Sequence, residues 1–415
     1  TNTGTFPVAG DIANIGSNTG PDKTITVDAT STCSFLNFLT NAGRSSTVTI
    51  NTGITLNVSG SILIPRASTG EDNILAVGAG TLNAGSLSFT DGGGDQRHQL
   101  IISTGTATIS EDVTAVGSTG SATIAFTGAG LLQLGGAFLN SSNCTFTPGT
   151  GTVEYNGSVA QTVTDFTYYN LKTNNTFGTI PQLTLSTSTT VTNTLDMTSG
   201  VLDLNSSTLT LGASGFASTL SRTASTTTNW MYGGVFSRFW PSATAITSTS
   251  GNYYGLFPVG TVNASSYRPV AINSTVSPTG TGSFSVTHTD ASTVTDLSPV
   301  YDDGGTDIER KHDAQFNTAT TATGGTYDLG ITMTDIGSGI LSDVRLALSN
   351  GPTTVTTVGT HSAATGAFPD PTANRTGVSL ANLDGDWRIT TTNSINTPLP
   401  IELVYFKAEV IENIV

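Results

Sequence analysis

Charge is scarce in this chain. Asp, Glu, Lys and Arg make up 10% of its 415 residues, against roughly a quarter in an ordinary soluble domain. The 14 cations, four Lys and ten Arg, are scattered singly, and the net charge is −15. Without clustered Lys/Arg there is nothing to neutralise phosphates or hold an anionic bilayer, which disfavours nucleic-acid and membrane-surface partners. No apolar run approaches the ~20 residues that a spanning helix needs, so no membrane insertion is expected. Cysteine is nearly missing. Cys33 and Cys144 alone make neither a disulfide framework nor a zinc site. In a stack of β-coils spaced ~4.8 Å apart they lie several coils from each other, so two separate buried thiols are expected. A sustained 3.6-residue periodicity is missing too, and with it any expectation of substantial helix. HExxH, GxSxG and P-loop signatures do not occur. The single histidines His288, His312 and His361 read as ordinary strand or loop residues, and no enzymatic nucleophile is supported.

What fills the chain is Thr, about a fifth of all residues, with 47 Gly. Thr favours strands, and Gly serves turns. The most regular stretch is QLTLSTSTTVTNTLDMTSGVLDLNSSTLTLGASG (182–215). Apolar and hydroxyl residues alternate there in short runs, each closed by Ser-Gly, Asn-Ser or Gly-Ala. A period of two puts one side chain in and the next out. Runs this short and evenly spaced read as β-solenoid coils or a ladder of hairpins. A unit of ~20–25 residues recurs from about 24 to 215, giving eight to ten coils.

The texture changes near 216–230. Trp230, Tyr232, Phe236, Phe239 and Trp240 cluster, and longer strands with polar turns follow, as in an antiparallel β-sandwich. From Pro398 the chain reads PLPIELVYFKAEVIENIV, without Thr or Gly. Val404, Phe406, Ala408 and Val410 share one parity, while Ile401, Leu403 and Ile411 share the other. Such a strand needs a sheet to pair with. The expected architecture is therefore all-β. An N-terminal arm or cap (1–22) leads into a parallel β-helix-like solenoid (23–220), a β-sandwich (221–396) and an extended C-terminal strand (397–415).

Several motifs carry a resemblance. GTLNAGSLSFT, ATIAFTGAGLLQLGGAFLN, GTVEYNGSVAQTV with DFTYYNLK, and TSGVLDLNSSTLTLG resemble the β-strand-repeat surface proteins of Bacteroidetes-type bacteria. YYGLFPVG with YRPVAI is similar to the sandwich module that follows those repeats. LPIELVYFKAEV resembles the strand that precedes a type IX secretion sorting signal in that family. The similarity spans about 24–410, and no sorting signal follows it before Val415. It implies export to the cell surface or medium, an adhesin-like or structural role, and no catalytic residues to carry over. The start at Thr1-Asn2-Thr3 fits a processed secreted chain.

Candidate chemistry is sparse. β-Helix enzymes that act on polysaccharides need acid–base groups on one face. The nearest set here is Asp91, Asp95, Arg97 and His98, in a Gly-rich loop that equally reads as solvated surface. Asp302, Asp303 and Asp307 (YDDGGTDIE), and Asp384 and Asp386 (LDGDW), are candidate Ca²⁺ ligands, with turn chemistry as the plainer account. No other cofactor is expected. Trp230 and Trp240 are candidates for stacking on sugars, or else core. Outward Thr-x-Thr pairs (Thr24/Thr26, Thr47/Thr49, Thr106/Thr108, Thr208/Thr210) would form an ice-binding face only if aligned in every coil. The leading expectation is an extracellular, non-enzymatic structural or adhesive subunit. It joins head to tail through Ile401, Leu403, Val404, Phe406, Ala408, Val410 and Ile411, the partner being a second copy. The alternatives are a surface protein that binds or cleaves carbohydrate, and a fragment of a longer adhesin.

Overall fold

The structure is a computed structural model. It describes residues 7–16, 21–39, 44–66, 71–90, 97–116, 122–213, 218–223, 228–249, 251–263, 266–397 and 399. The described chain is almost wholly β, with a single four-residue α-helix at Leu380–Leu383. It forms two compact units, the main run of the first ending at Pro241.

The first unit is a β-solenoid of about eight turns, each coil bearing short parallel strands. One face runs unbroken through the stack. There the column Leu56–Leu82–Ala107–Leu132–Val153–Leu171–Leu195–Leu220 pairs in register from coil to coil, and every member is buried. Stacking like on like lets each coil bury the apolar residues of the next and satisfies backbone N–H and C=O groups along the axis. Coil length is not constant. The register offset is shortest at Thr152↔Asn170 and longest at Leu202↔Met231, because surface loops vary while the strands stay stacked.

Glycine marks one corner. A Cβ on Gly105 would sit 2.3 Å from the carbonyl oxygen of Gly80, and one on Gly130 would sit 2.9 Å from that of Gly105. The coils approach there too closely for any side chain, which accounts for the Gly immediately before Thr81, Thr106 and Leu131.

Two expected boundaries move. Ile12–Ile15 is already a solenoid strand, paired in parallel with Phe35–Phe38, so part of the expected arm belongs to the first coil. At the other end Val235–Trp240 pairs with Thr208–Leu211, and the stack continues past 220. The aromatic cluster that read as a new domain is the core of the last coil. The segment 251–254 caps that coil. Arg238, buried, donates to the carbonyls of Asn252 (3.0 Å) and Tyr253, and Trp240 Nε1 donates to Tyr254 O (2.9 Å).

The second unit is an antiparallel sandwich, as the longer strands suggested. One sheet joins Leu256–Phe257, Val270–Val276, Thr326–Thr332, Asp370–Ser379 and Thr360–Ala367. The other is built on a long kinked hairpin. Gly282–Thr289 and Val294–Asp302 run against Gln315–Thr320 and Asp307–His312. Gly385–Thr391, Val344–Gly351 and Thr354–Thr356 continue that sheet. The inner faces meet through Phe257 and Phe284, 5.3 Å apart, and through Ile272, Leu329, Ile331, Val286, Phe316 and Trp387, all buried. A second small core of Leu297, Ile308, Ala347 and Val355, with Tyr301 against it, lies where Val294–Asp302 approaches Thr354–Thr356.

Candidate functional site

The two ends of the solenoid differ. At the start, Ile12–Ile15, Lys23–Val27 and Ser31–Cys33 form the first rung, and among the described residues each pairs on one side only. The column Ile25–Val48–Leu75–Leu100–Ile124 shows the consequence. Ile25 is 37% exposed, whereas Val48 is 2% exposed and the rest are fully buried. Ile12 and Phe35, in register with each other, face outward and are exposed for that reason. A cavity of about 480 Å³ opens here, lined by Ala13, Ile15, Ile25, Cys33, Leu36 and Val48 among others. Unpaired strand edges above an apolar floor invite another strand.

The residues singled out from sequence fall in several places. Ile401, Leu403, Val404, Phe406, Ala408, Val410 and Ile411 lie outside the described residues, as do Asp91, Asp95 and the side chain of Arg97. His98 is no surface acid–base group. It is fully buried inside the solenoid, its ring 5.5 Å from that of Phe89, in the inward column Ser46–Asn73–His98–Ala122–Cys144. Trp230 and Trp240 are also fully buried and cannot stack on a sugar. Cys33 and Cys144 are separate buried thiols; burial pushes Cys144 up to about 12.

The Thr ranks do not align. Thr24–Thr47 continues into Ile74 and Gln99, and Thr26–Thr49 into Ala76 and Ile101. A flat ice-matching face is therefore not formed.

Three of the five acidic candidates, Asp302, Asp303 and Asp386, hold partners within the protein. Asp303 points inward and makes a two-pronged ion pair with Arg375 (2.6 and 3.0 Å), with Arg345 3.8 Å away. Asp302 accepts from Gly305 N–H in the turn and stands in register with Asp307. Both oxygens of Asp386 take Arg388, and Asp384 is exposed. The three Asp residues 302, 303 and 307 thus do not converge as a calcium cage. Among the described residues no group of three His, Cys, Asp or Glu converges as a metal site.

His288 and His312 are core residues of the second unit, and His361 is half-buried. His288 Nδ1 donates to Gln315 O (2.9 Å), which leaves Nε2 as acceptor toward Arg268 Nη1 (3.3 Å). His312 Nδ1 accepts from Ala314 N–H (3.0 Å). Burial first, and Arg268 second, push both imidazoles down to about 4.

Two arrangements were not anticipated from sequence. The first is an outward polar column on the unbroken solenoid face, Asn57–Asn83–Thr108–Gln133–Glu154–Lys172. Asn83 donates to Asn57 (2.9 Å), Thr108 to Gln133 (2.8 Å) and Gln133 to Glu154 (2.8 Å), and Lys172 pairs with Glu154 at 3.3 Å. Burial tends to raise the Glu154 carboxyl. Donors from Gln133, Asn174 and Lys172 outweigh it and hold the group below its usual range. The repeated TLN at 55–57 and 81–83 was its one sequence signal. The second arrangement is a polar hollow of about 420 Å³ in the sandwich, lined by Thr295, Lys311, Asp313, Gln315, Ser349, Asp386 and Arg388 among others. Its residues come from strands far apart in sequence, so no local motif announces it.

No helix among the described residues is long and apolar enough to cross a membrane. No family model matches the chain, and neither a curated protein nor a solved structure matches it.

Proposed function

We propose that this chain is an extracellular structural or adhesive subunit that assembles head to tail, with no reaction of its own. The apolar strand 401–411 of one copy would pair with the open first rung of the next and cover its floor. The observation that carries this reading is the contrast along one column, Ile25 exposed above Val48 and Leu75 buried. A capped far end and an open near end give the molecule a direction. A contact between unlike surfaces that does not close makes a filament. The alternating apolar pattern of 401–411 suits a strand that adds to an edge, where main-chain hydrogen bonds give affinity and alternate side chains enter the floor.

Removing residues 399–415 is expected to leave folded, monomeric protein, while the full chain forms fibres in negative-stain micrographs. Fibres that persist without the tail, or a full chain that stays monomeric at high concentration, would refute the reading.

A further inference from the structure

The hollow in the sandwich contains a buried ammonium that touches no carboxylate among the described residues. Lys311 is 3% exposed, yet its ammonium meets only neutral acceptors, Ser349 Oγ and Gly351 O, both at 2.8 Å. It makes no ion pair with any described residue. The two nearby carboxylates are otherwise engaged. Asp386 holds the Arg388 guanidinium through both oxygens (2.9 and 2.7 Å), and Arg388 also donates to the Asp313 carbonyl. Asp313 accepts the hydroxyls of Thr293 (2.7 Å) and Thr295 (2.8 Å). A buried cation with no carboxylate in direct contact costs a fold stability, and a neutral side chain of similar shape would serve packing better. Function can require a group that costs a fold stability, which makes Lys311 a candidate binding group.

We propose that this hollow binds an acidic sugar, a uronic acid residue, with its carboxylate on Lys311 and its hydroxyls on Asp313, Gln315 and Asp386. The chemistry of the lining sets the class. A cation stands beside carboxylates that retain free lone pairs, since each Asp oxygen accepts more than one hydrogen bond. A simple anion would use only the lysine, and a neutral sugar only the acceptors. The hollow, about 420 Å³, is open to solvent, so a ligand can reach its lining. Burial, with Arg388 next, holds the Lys311 ammonium below its usual range, against the opposing pull of Asp313 and Asp386, and a carboxylate bound in direct contact would raise it. The inference is independent of head-to-tail assembly, because every group named lies within the sandwich.

Saturation-transfer NMR and calorimetry on the full chain test it with glucuronate, a polyuronate, glucose and acetate. Glucuronate or polyuronate is expected to bind at least tenfold tighter than glucose or acetate, and more weakly as salt rises. Lys311→Met is expected to bring the uronate down to the level of glucose while the melting temperature stays the same or rises. Lys311→Gln, which keeps a donor for Ser349 and Gly351, gives the same binding result should the Met variant not fold. Uronate binding no tighter than glucose would overturn the proposal. So would uronate binding unchanged in a folded Lys311 variant, or a fall in melting temperature of the Met variant with no loss of binding.

Discussion

Replacing Asp303 with Asn is expected to destabilise the sandwich by about 3–5 kcal/mol, a fall of many degrees in its melting temperature. The reason is what the carboxylate faces. Arg375 is 1% exposed and Asp303 is 6% exposed in its side chain. The guanidinium also donates to the carbonyls of Leu346 (2.8 Å) and Val358, so it cannot swing out to water without breaking the sheet around it. Arg345 lies on the same carboxylate. Asn would leave two buried cations without their anion, and the desolvation of each would then be uncompensated. A double replacement, Asp303→Leu with Arg375→Met, should recover much of the loss, because it removes the charges rather than orphaning one. Thermal and urea unfolding of the three variants measure this. An Asp303→Asn protein that melts with the parent would show that the pair does not clamp the two sheets.

Acid should open the same unit, with a definite sign. His288 and His312 are neutral in the fold and resist protonation until about pH 4, while in the unfolded chain they titrate near 6.5. Above 6.5 both states are neutral and the full stability is present. As the pH falls below 6.5 the unfolded chain takes up protons that the fold refuses, and stability drops. The drop ends near 4, where the folded imidazoles protonate in turn. Each histidine contributes about 1.4 kcal/mol per pH unit across that window, so the pair costs on the order of 5 kcal/mol by pH 4.5. Protonating His288 would set a second cation against Arg268, already tied to Asp290. Melting temperatures from pH 7 to 4.5 are expected to fall steeply, and a His288→Gln, His312→Gln protein should show a shallower slope. An unchanged slope in that variant would place the acid sensitivity elsewhere.

Alternation of Leu, Val and Ile with Thr was enough to read the solenoid, because a period of two is a direct image of a strand with one face inside. The even spacing of short runs closed by Ser-Gly, Asn-Ser or Gly-Ala narrowed the form to solenoid coils or a ladder of hairpins, and the structure shows coils. Boundaries were less legible. Trp230, Phe236 and Trp240 differ in composition from the earlier coils, and that difference read as a new domain. In the structure they fill the last coil, where a cap needs bulk. Ile12–Ile15 failed to register because four residues are too few for a periodic signal. Sites suffered more. Asp303 looked like a loop carboxylate, since nothing within nine residues indicates that Arg375, over seventy positions away, folds onto it. Lys311 and Arg388 are brought together by pairing of Asp307–His312 with Gly385–Thr391. A single sequence carries no local trace of such long-range register.

Head-to-tail assembly requires an open first rung that accepts the tail of another copy, and thiol cross-linking tests this most directly. In a Cys33→Ala, Cys144→Ala background, one protein carries Thr24→Cys on the exposed first rung and another carries Tyr405→Cys in the tail. A third carries Thr145→Cys, exposed on the same face at the far end of the column Thr24–Thr47–Ile74–Gln99–Thr123–Thr145. Mixed under mild oxidation, the first two are expected to form a disulfide-linked heterodimer whose yield rises with concentration, well above that of the Thr145→Cys control. Equal yields from positions 24 and 145, or no heterodimer at all, would contradict it.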